Sequence, residues 1–459
     1  MSDCITFSGV HLESGEAIHR PVDLSAIRMK GWRNLTIPRI TRADYRWNDL
    51  SRAGWGVIFP RNCGGRRMQA LSRLLQKRSA QAGERYRSFE YEPWEDADAF
   101  LSKRGVGPGS IIPARVPFYL LIVADPGEIP FSFQYQLDVQ YAVGRVSFPD
   151  LDDYRLYAEN IAAAEESPVG EYRQAALFGI ENQGDELTAI SSQNLAQALF
   201  EKLGEEKAFL IRPEDTSKAK LQELIQSSRS PSLLFTAGHG VFLEPDNDRI
   251  RDLQGALICN DWQPGRTMGS ECYFAADDVK CNLDLRGTIP FHFACFSAGT
   301  PRHDQFARMS GATDTELTDD PFVAKLPQEW LRRGAPAVIG QVGKAYTQSF
   351  LWKEAGSQVQ SFERTLKSLS KGNRVGLAME SFGQRYADLA TRLVESRIKR
   401  RAQDDVPENP EEAHLWVGLI DARSYVVLGD PAAKLPVAPK KGNPATLRRF
   451  RPRAAAQGA

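Results

Sequence analysis

Two residues with the chemistry of a nucleophile and its base follow two apolar runs of the sequence. His239 follows the run 233–236 (LLFT) and lies between two glycines, and Cys295 follows the run 289–293 (IPFHF). A free thiol has a pKa near about 8.5, so a nucleophilic cysteine needs a neighbouring imidazole to accept its proton. The two residue types together indicate acyl transfer, in which His239 activates Cys295.

The elements that must position this pair are strands. Each run is continuously apolar, as in strands that are covered on both faces of a parallel sheet. Functional side chains gather at the carboxyl ends of such strands, so neighbouring strands would place His239 beside Cys295. Gly240 carries no side chain to block its N–H, and we expect that N–H and the one of Cys295 to form an oxyanion hole.

Each signal alone has a simpler interpretation. A cysteine at a strand end is often a small core residue, and a histidine there is often structural. The combination of two strand ends about 55 residues apart favours a Cys/His site. His292 should point away from Cys295, because side chains alternate along a strand, and is expected to pack or hydrogen-bond under the sheet. His303 lies in a polar loop and is a weaker candidate base.

Strands and helices alternate along most of the chain, which predicts an α/β fold with a mainly parallel sheet flanked by helices. Polar loops or linkers are expected at 302–320 and 399–410, and the basic tail after Pro436 is expected to be disordered. The predicted strands are 55–60, 118–123, 143–146, 175–180, 208–211, 233–236, 289–293, 337–339 and 425–428, and the predicted helices include 68–75, 191–203, 218–227, 322–333 and 350–369.

Composition narrows the functional class. The 459 residues include 58 basic and 58 acidic side chains, so net charge directs the protein neither to nucleic acid nor to an anionic membrane, and only the basic tail could contact RNA. No apolar run of about 18 residues and no leader pattern occurs, which predicts a cytoplasmic protein without membrane contact. The six cysteines and six histidines follow no metal-binding spacing, so no metal and no cofactor are expected.

Residues 115–436 resemble the clan of caspases, gingipains, separases and bacterial CHAT-domain peptidases. The His-Gly at 239–240 and the Ala-Cys at 294–295 look like the catalytic pair of that clan. Further runs look like its gingipain and CHAT branch: 121–130 (LIVADPGEIP) with 141–145 (YAVGR), 334–340 (GAPAVIG) and 428–431 (LGDP).

The resemblance implies two caspase-like units in tandem. Residues 116–170 would belong to a non-catalytic unit and residues 171–436 to the catalytic unit, with an N-terminal region of unknown role (1–115) and a disordered basic tail (437–459). By analogy, the loops after Asp125 and Arg145 would support the site without performing chemistry.

The implied activity is that of an intracellular cysteine endopeptidase. Its substrate would be a specific protein, and a protein partner would activate it, as in bacterial defence or signalling systems. The loop 302–320 and the basic stretch 397–401 are candidate sites of activation or self-processing. The alternative is a catalytically silent caspase-like scaffold that binds a partner protein. A nucleotide-binding fold is disfavoured because no GxxxxGK[ST] run occurs.

Residues that would select the substrate are harder to assign. In relatives with strict specificity, the residue two before the nucleophile lines the specificity pocket, and here it is Phe293. Asp261, Asp277 and Asp278 lie between the two strands and would either line an acidic pocket or cap helices. Spacing alone places no third residue that orients His239.

Overall fold

The structure is a computed structural model. It describes residues 4, 5, 7–16, 22, 23, 47–61, 63, 65–167, 171–227, 230–309, 315–352, 355–401 and 410–436. The predicted tail 437–459 and most of the predicted linker 399–410 lie outside the described residues.

The described strands are β1 Cys4–Ile5, β2 Phe7–His11, β3 Val22–Asp23, β4 Trp55–Pro60, β5 Tyr86–Tyr91, β6 Tyr119–Val123, β7 Ala142–Val146, β8 Ala175–Gly179, β9 Ala208–Ile211, β10 Leu233–Ala237, β11 Gly240–Phe242, β12 Leu257–Ile258, β13 Tyr273–Phe274, β14 Ile289–Phe293, β15 Gly299–Thr300, β16 Phe322–Val323, β17 Ala337–Gln341, β18 Ala345–Tyr346 and β19 Tyr425–Gly429.

The described α-helices are α1 Leu50–Ala53, α2 Arg66–Ala70, α3 Ser72–Ala82, α4 Ala97–Ser102, α5 Phe131–Asp138, α6 Leu151–Glu166, α7 Glu186–Ser191, α8 Ala198–Leu203, α9 Lys218–Gln226, α10 Ile250–Leu253, α11 Gln305–Met309, α12 Lys325–Arg332, α13 Gln360–Ser370, α14 Val375–Ala378, α15 Glu380–Arg401 and α16 Pro410–Ser424.

A ten-stranded sheet organises the molecule, in the order β5-β4-β6-β7-β19-β17-β14-β10-β8-β9. Every neighbouring pair in it is parallel except β17 with β19. The antiparallel pair divides the sheet into a first half (β5, β4, β6, β7, β19) and a second half (β17, β14, β10, β8, β9). The carboxyl ends of the two halves therefore point to opposite edges. The predicted α/β class with a mainly parallel, helix-flanked sheet is confirmed.

Both faces of the inner strands of the sheet are buried, which explains why these strands are apolar without alternation. Along β8, Ala176 and Phe178 belong to one core cluster, whereas Ala175 and Leu177 belong to another on the opposite face. Such a strand must be apolar at every position, since successive side chains point to opposite faces. That continuous pattern made these strands visible in the sequence.

The region before residue 116 contributes to the same sheet. β4 pairs with β6, and β5 pairs with β4, so both extend the first half. A buried charge network ties this region to the end of the chain: Arg78 Nε donates to Asp430 Oδ2 at 2.6 Å, and Trp55 Nε1 donates to Asp430 Oδ1 at 2.9 Å. Asp430 of the LGDP run is therefore an internal anchor of the first half.

Two predicted helices begin later than expected. Residues 322–323 form the short strand β16, so the helix predicted from 322 starts at Lys325. The helix predicted from 350 starts at Gln360. The predicted loop 302–320 contains the short helix α11, with residues 310–314 outside the description. In the described part of the chain, no helix combines the length and apolarity needed to cross a membrane.

Candidate active site

The structure places His239 and Cys295 side by side in register, just beyond the carboxyl ends of two neighbouring strands. β10 and β14 are parallel, and Ala237 lies opposite Phe293. His239 and Cys295 each follow their strand by two residues, and the Gly238 N–H donates to the Phe293 carbonyl at 3.1 Å. Both His239 and Cys295 are fully buried.

Gly240 lets the two strand ends approach each other. A Cβ at this position would lie 2.0 Å from the carbonyl oxygen of Cys295, well inside any van der Waals contact. Only glycine permits backbone this close, because any other residue would push the Cys295 turn away. The residue after His239 therefore touches the backbone of Cys295.

A strained turn presents the cysteine. Phe296 has φ of 59°, and among the described residues it is the one non-glycine with a positive φ. A bulky residue in this region costs free energy, which the surroundings must offset. The Phe296 N–H donates to the Gly343 carbonyl at 2.6 Å, and its ring packs 5.7 Å from that of Phe242. These contacts hold the turn that carries Cys295.

Asp185 contacts His239 and was not predicted from the sequence. Its Oδ2 lies 2.7 Å from His239 Nε2, and both side chains are 0 % exposed. It follows β8, the other neighbour of β10. Asp185 also caps α7, because the same oxygen accepts from the Thr188 N–H at 3.2 Å. The available signal was this N-cap pattern of an aspartate three residues before a threonine, in a loop at a strand end.

The Asp185 contact defines the chemistry of the imidazole. A carboxylate bound at Nε2 keeps the proton on that nitrogen, which makes Nδ1 the acceptor of the neutral ring. The ring is also held edge-to-face by Trp262, with ring centres 5.8 Å apart. Asn182 lies in the loop that leads to Asp185, and its Nδ2 donates to the Trp262 carbonyl at 3.0 Å. Asn182 therefore connects the two residues that contact the His239 ring.

A backbone N–H contacts the sulfur. The Ala345 N–H lies 3.2 Å from Cys295 Sγ. On the other side of β11, the His239 carbonyl accepts from the Ile258 N–H at 3.1 Å, and the Val241 N–H donates to the Ala256 carbonyl at 2.8 Å. Because backbone groups alternate along a strand, the N–H of Gly240 faces the opposite side, toward β2, which lies between β11 and β18. An N–H directed at sulfur favours its negatively charged form.

A buried carboxylate supports β18 from behind. Asp421 Oδ1 accepts from the Tyr346 N–H at 3.3 Å and from Gln341 Nε2 at 2.9 Å, while Oδ2 accepts from Ser349 Oγ at 2.5 Å. Burial raises the pKa of Asp421 to about 6. This network fixes the strand whose first residue contacts the Cys295 sulfur.

The residues considered for substrate selection make contacts of other kinds in the structure. Phe293 is fully buried and packs edge-to-face on Phe350, 5.4 Å between ring centres. Asp261 accepts from the Lys218 N–H at 2.7 Å, and Asp278 pairs with Lys218 Nζ at 2.8 Å. Asp277 is exposed within a short helical turn. Phe293 thus packs in the core, and Asp261 and Asp278 both contact Lys218; their role in substrate selection stays a prediction.

The other two histidines near Cys295 in the sequence make different contacts. His292 is fully buried and its Nδ1 lies 2.8 Å from Thr236 Oγ1 on the neighbouring strand. Burial lowers its pKa to about 3, so it is a neutral structural residue, as the strand alternation predicted. The backbone of His303 forms an isolated antiparallel β-bridge with that of Glu316. Within the described residues, no group of three or more potential ligands could hold a metal ion.

Comparisons with known proteins yield distant structural similarity. No protein-family model matches the sequence, and a search of curated proteins finds no match. The chain is similar to a solved structure described as a protease, with 12% identity and a TM-score of 0.49 over 84% of this chain and 80% of that one.

Two structures of the Saccharomyces cerevisiae separase–securin complex are also similar, with 12% and 13% identity and TM-scores of 0.33 and 0.31. Each match covers 68% of this chain but only 15% and 16% of the separase chains. The functional proposal rests on the geometry of the site.

Proposed function

We propose that the chain is a cysteine endopeptidase of the caspase and gingipain type. The observation that carries this proposal is the fully buried Asp185–His239 pair, 2.7 Å apart, at the level of the Cys295 turn. A buried carboxylate on one imidazole nitrogen orients the ring and stabilises its protonated form, which is what a general base next to a nucleophile requires.

The reaction would follow from these positions. His239 Nδ1 takes the thiol proton, and the Cys295 sulfur attacks the carbonyl carbon of a peptide bond. The N–H groups of Gly240 and Cys295 would hold the resulting oxyanion. As the C–N bond breaks, the leaving amine takes the proton from His239. Water then gives a proton to His239 and attacks the thioester, which releases the acid and restores the thiol.

The finer parts of the proposal rest on family resemblance. They are an intracellular setting, one specific protein as substrate, and a protein partner that regulates cleavage in a bacterial defence or signalling system. The runner-up is a silent caspase-like scaffold. It is disfavoured because a surface that only binds a partner has no use for Asp185 hydrogen-bonded to a buried imidazole at the same level as Cys295.

Labelling with a peptidyl acyloxymethyl ketone tests the activity. We expect a single adduct on Cys295 in the wild type and in Cys259→Ala, none in Cys295→Ala, and labelling slower by about 100-fold or more in His239→Ala. Cys259 is a matched control, because it is also fully buried and burial raises the pKa of its thiol. Equal labelling rates with and without His239 would favour the scaffold.

A further inference from the structure

The segment Phe7–His11 (β2) lies between the two strands that flank the catalytic pair. In the five-stranded sheet β13-β12-β11-β2-β18, β2 pairs in parallel with β11 and antiparallel with β18. β11 begins directly after His239, and β18 begins at Ala345, whose N–H contacts the Cys295 sulfur. The segment therefore bridges the two sides of the site.

The register of β2 centres on the catalytic pair. Ser8 lies opposite Ala345, and Gly9 lies opposite Gly240. The Ser8–Gly9 peptide is thus level with the two residues that adjoin His239 and Cys295. The edge of β11 that β2 covers is the one that Gly240 N–H faces, and on this edge the Phe242 carbonyl accepts from the Leu12 N–H at 2.9 Å.

The chain after Gly9 anchors the segment. Val10 and Leu12 are buried in a cluster that includes Val241, Leu253 and Ile258. His11 Nε2 lies 3.1 Å from Glu244 Oε1, just beyond the end of β11. These contacts fix β2 against the catalytic half of the molecule from one side.

We propose that residues 7–12 are a built-in pseudosubstrate that fills the peptide-binding slot between β11 and β18. The slot has unpaired edges on both sides when β2 leaves, so it fits an extended peptide that adds as a strand. A substrate must displace β2 before it reaches Cys295, and the complete burial of His239 and Cys295 fits this closed form. The inference rests on the proposed peptidase function.

Proline at position 10 tests the proposal in the full-length protein. Each backbone N–H of a strand with neighbours on both sides faces one of them, so Val10→Pro removes a ladder bond and pushes β2 out. The readout is the rate at which iodoacetamide modifies Cys295, followed by peptide mapping. Val10→Pro should speed this at least ~10-fold by raising the open fraction of the slot. The control Glu13→Ala changes an exposed residue in the turn after β2 and should stay within ~2-fold.

A peptide in trans extends the test. A synthetic peptide of residues 5–14 (ITFSGVHLES) should slow labelling of the Val10→Pro protein, and a scrambled peptide should not. The variant Val10→Asp with Leu12→Asp repeats the release by placing charges in the buried cluster. Wild-type labelling rates in both released variants would overturn the proposal.

The His239→Ala change separates this inference from the peptidase proposal. If release of β2 speeds labelling equally with and without His239, then β2 fills the slot as proposed, but His239 does not activate Cys295. If labelling depends on His239 but not on release, the peptidase proposal stands and the pseudosubstrate is wrong.

Discussion

The two halves of the central sheet share one architecture but differ in what the polar residues at their strand ends contact. In the second half, the loops after β8, β10 and β14 converge with Asp185, His239 and Cys295. In the first half, the loop after β6 and the strand β7 carry Asp125 and Arg145. Arg145 is fully buried and its guanidinium donates to Gln134 Oε1 at 2.9 Å and to the carbonyl of Ala124 at 3.0 Å.

Charge at a strand end is therefore not enough to indicate chemistry. Burial lowers the pKa of Arg145 to about 10 and raises the pKa of Asp125, and the hydrogen bonds of Arg145 close loops of its own half. The antiparallel pair β17–β19 sends the ends of β6 and β7 to the edge opposite Cys295. The strand direction therefore decides which polar residues can reach Cys295.

Asp185→Asn should produce the largest change. Asparagine keeps the helix cap but cannot hold the imidazole in the same protonation state, so we expect Cys295 labelling to fall by about 10³- to 10⁴-fold. The pH dependence of the rate should shift as well, which loss of a cap alone would not cause. The control is Asp96→Asn in the first half, since Asp96 caps α4 by accepting from the Ala99 N–H at 2.8 Å. Similar losses in both variants would mean that Asp185 is only structural.

Asp430→Asn should affect stability and leave the second half of the sheet intact. It removes a buried charge that faces Arg78, and breaking such a pair costs about 3–5 kcal/mol of unfolding free energy. Urea denaturation measures this loss, and Cys295 labelling in native buffer should not change. Arg73→Ala breaks the exposed pair with Glu166 and should cost less than about 1 kcal/mol. A loss as small in Asp430→Asn would remove the anchor role of Asp430.

Asp421→Asn should change how stability depends on pH. The folded-state pKa of about 6 lies above the unfolded value, so the contribution of Asp421 is greatest below about pH 4 and is lost as pH rises through 6. Relative to the wild type, the variant should gain up to about 3 kcal/mol between pH 4 and pH 7. Asp49→Asn should tilt the other way, because hydrogen bonding with Ser51 lowers the pKa of Asp49. Denaturation series across this range decide the sign.

Trp262→Phe should give the smallest effect. Phenylalanine keeps an aromatic ring beside His239 but leaves a small gap, so we expect about 1 kcal/mol of lost stability and less than tenfold slower labelling. Thermal unfolding and labelling rates measure the two. A much larger loss of labelling at equal stability would mean that Trp262 orients the imidazole more strongly than Asp185.

The sequence predicted the parts of the fold that depend on complete burial. The apolar runs of β6, β10 and β14 are explained by helices on both faces of the sheet. The position of His239 and Cys295 at the same end of the sheet followed from the parallel direction of their strands. The edge strand β5 (YRSFEY) escaped prediction because its outer positions are polar and partly exposed.

Other features depend on contacts between distant segments. Asp185 lies 54 residues before His239, and only the order β8-β10 brings them together. The strand β2 has the mixed run FSGVH, which no periodicity identifies, and it forms because β11 and β18 pair with it. The opposite direction of the two halves depends on β19, whose neighbours β7 and β17 are far apart in the sequence.

β19 also determines what a cut in the chain could achieve. It pairs with β7 on one side and β17 on the other, and it follows α16, which carries Asp421. A cut between Arg401 and Pro410 would therefore leave a short C-terminal fragment whose strand β19 stays hydrogen-bonded in the middle of the sheet. The two pieces would travel together through purification and separate only under denaturing conditions, so a processed molecule would look intact by size in native buffer.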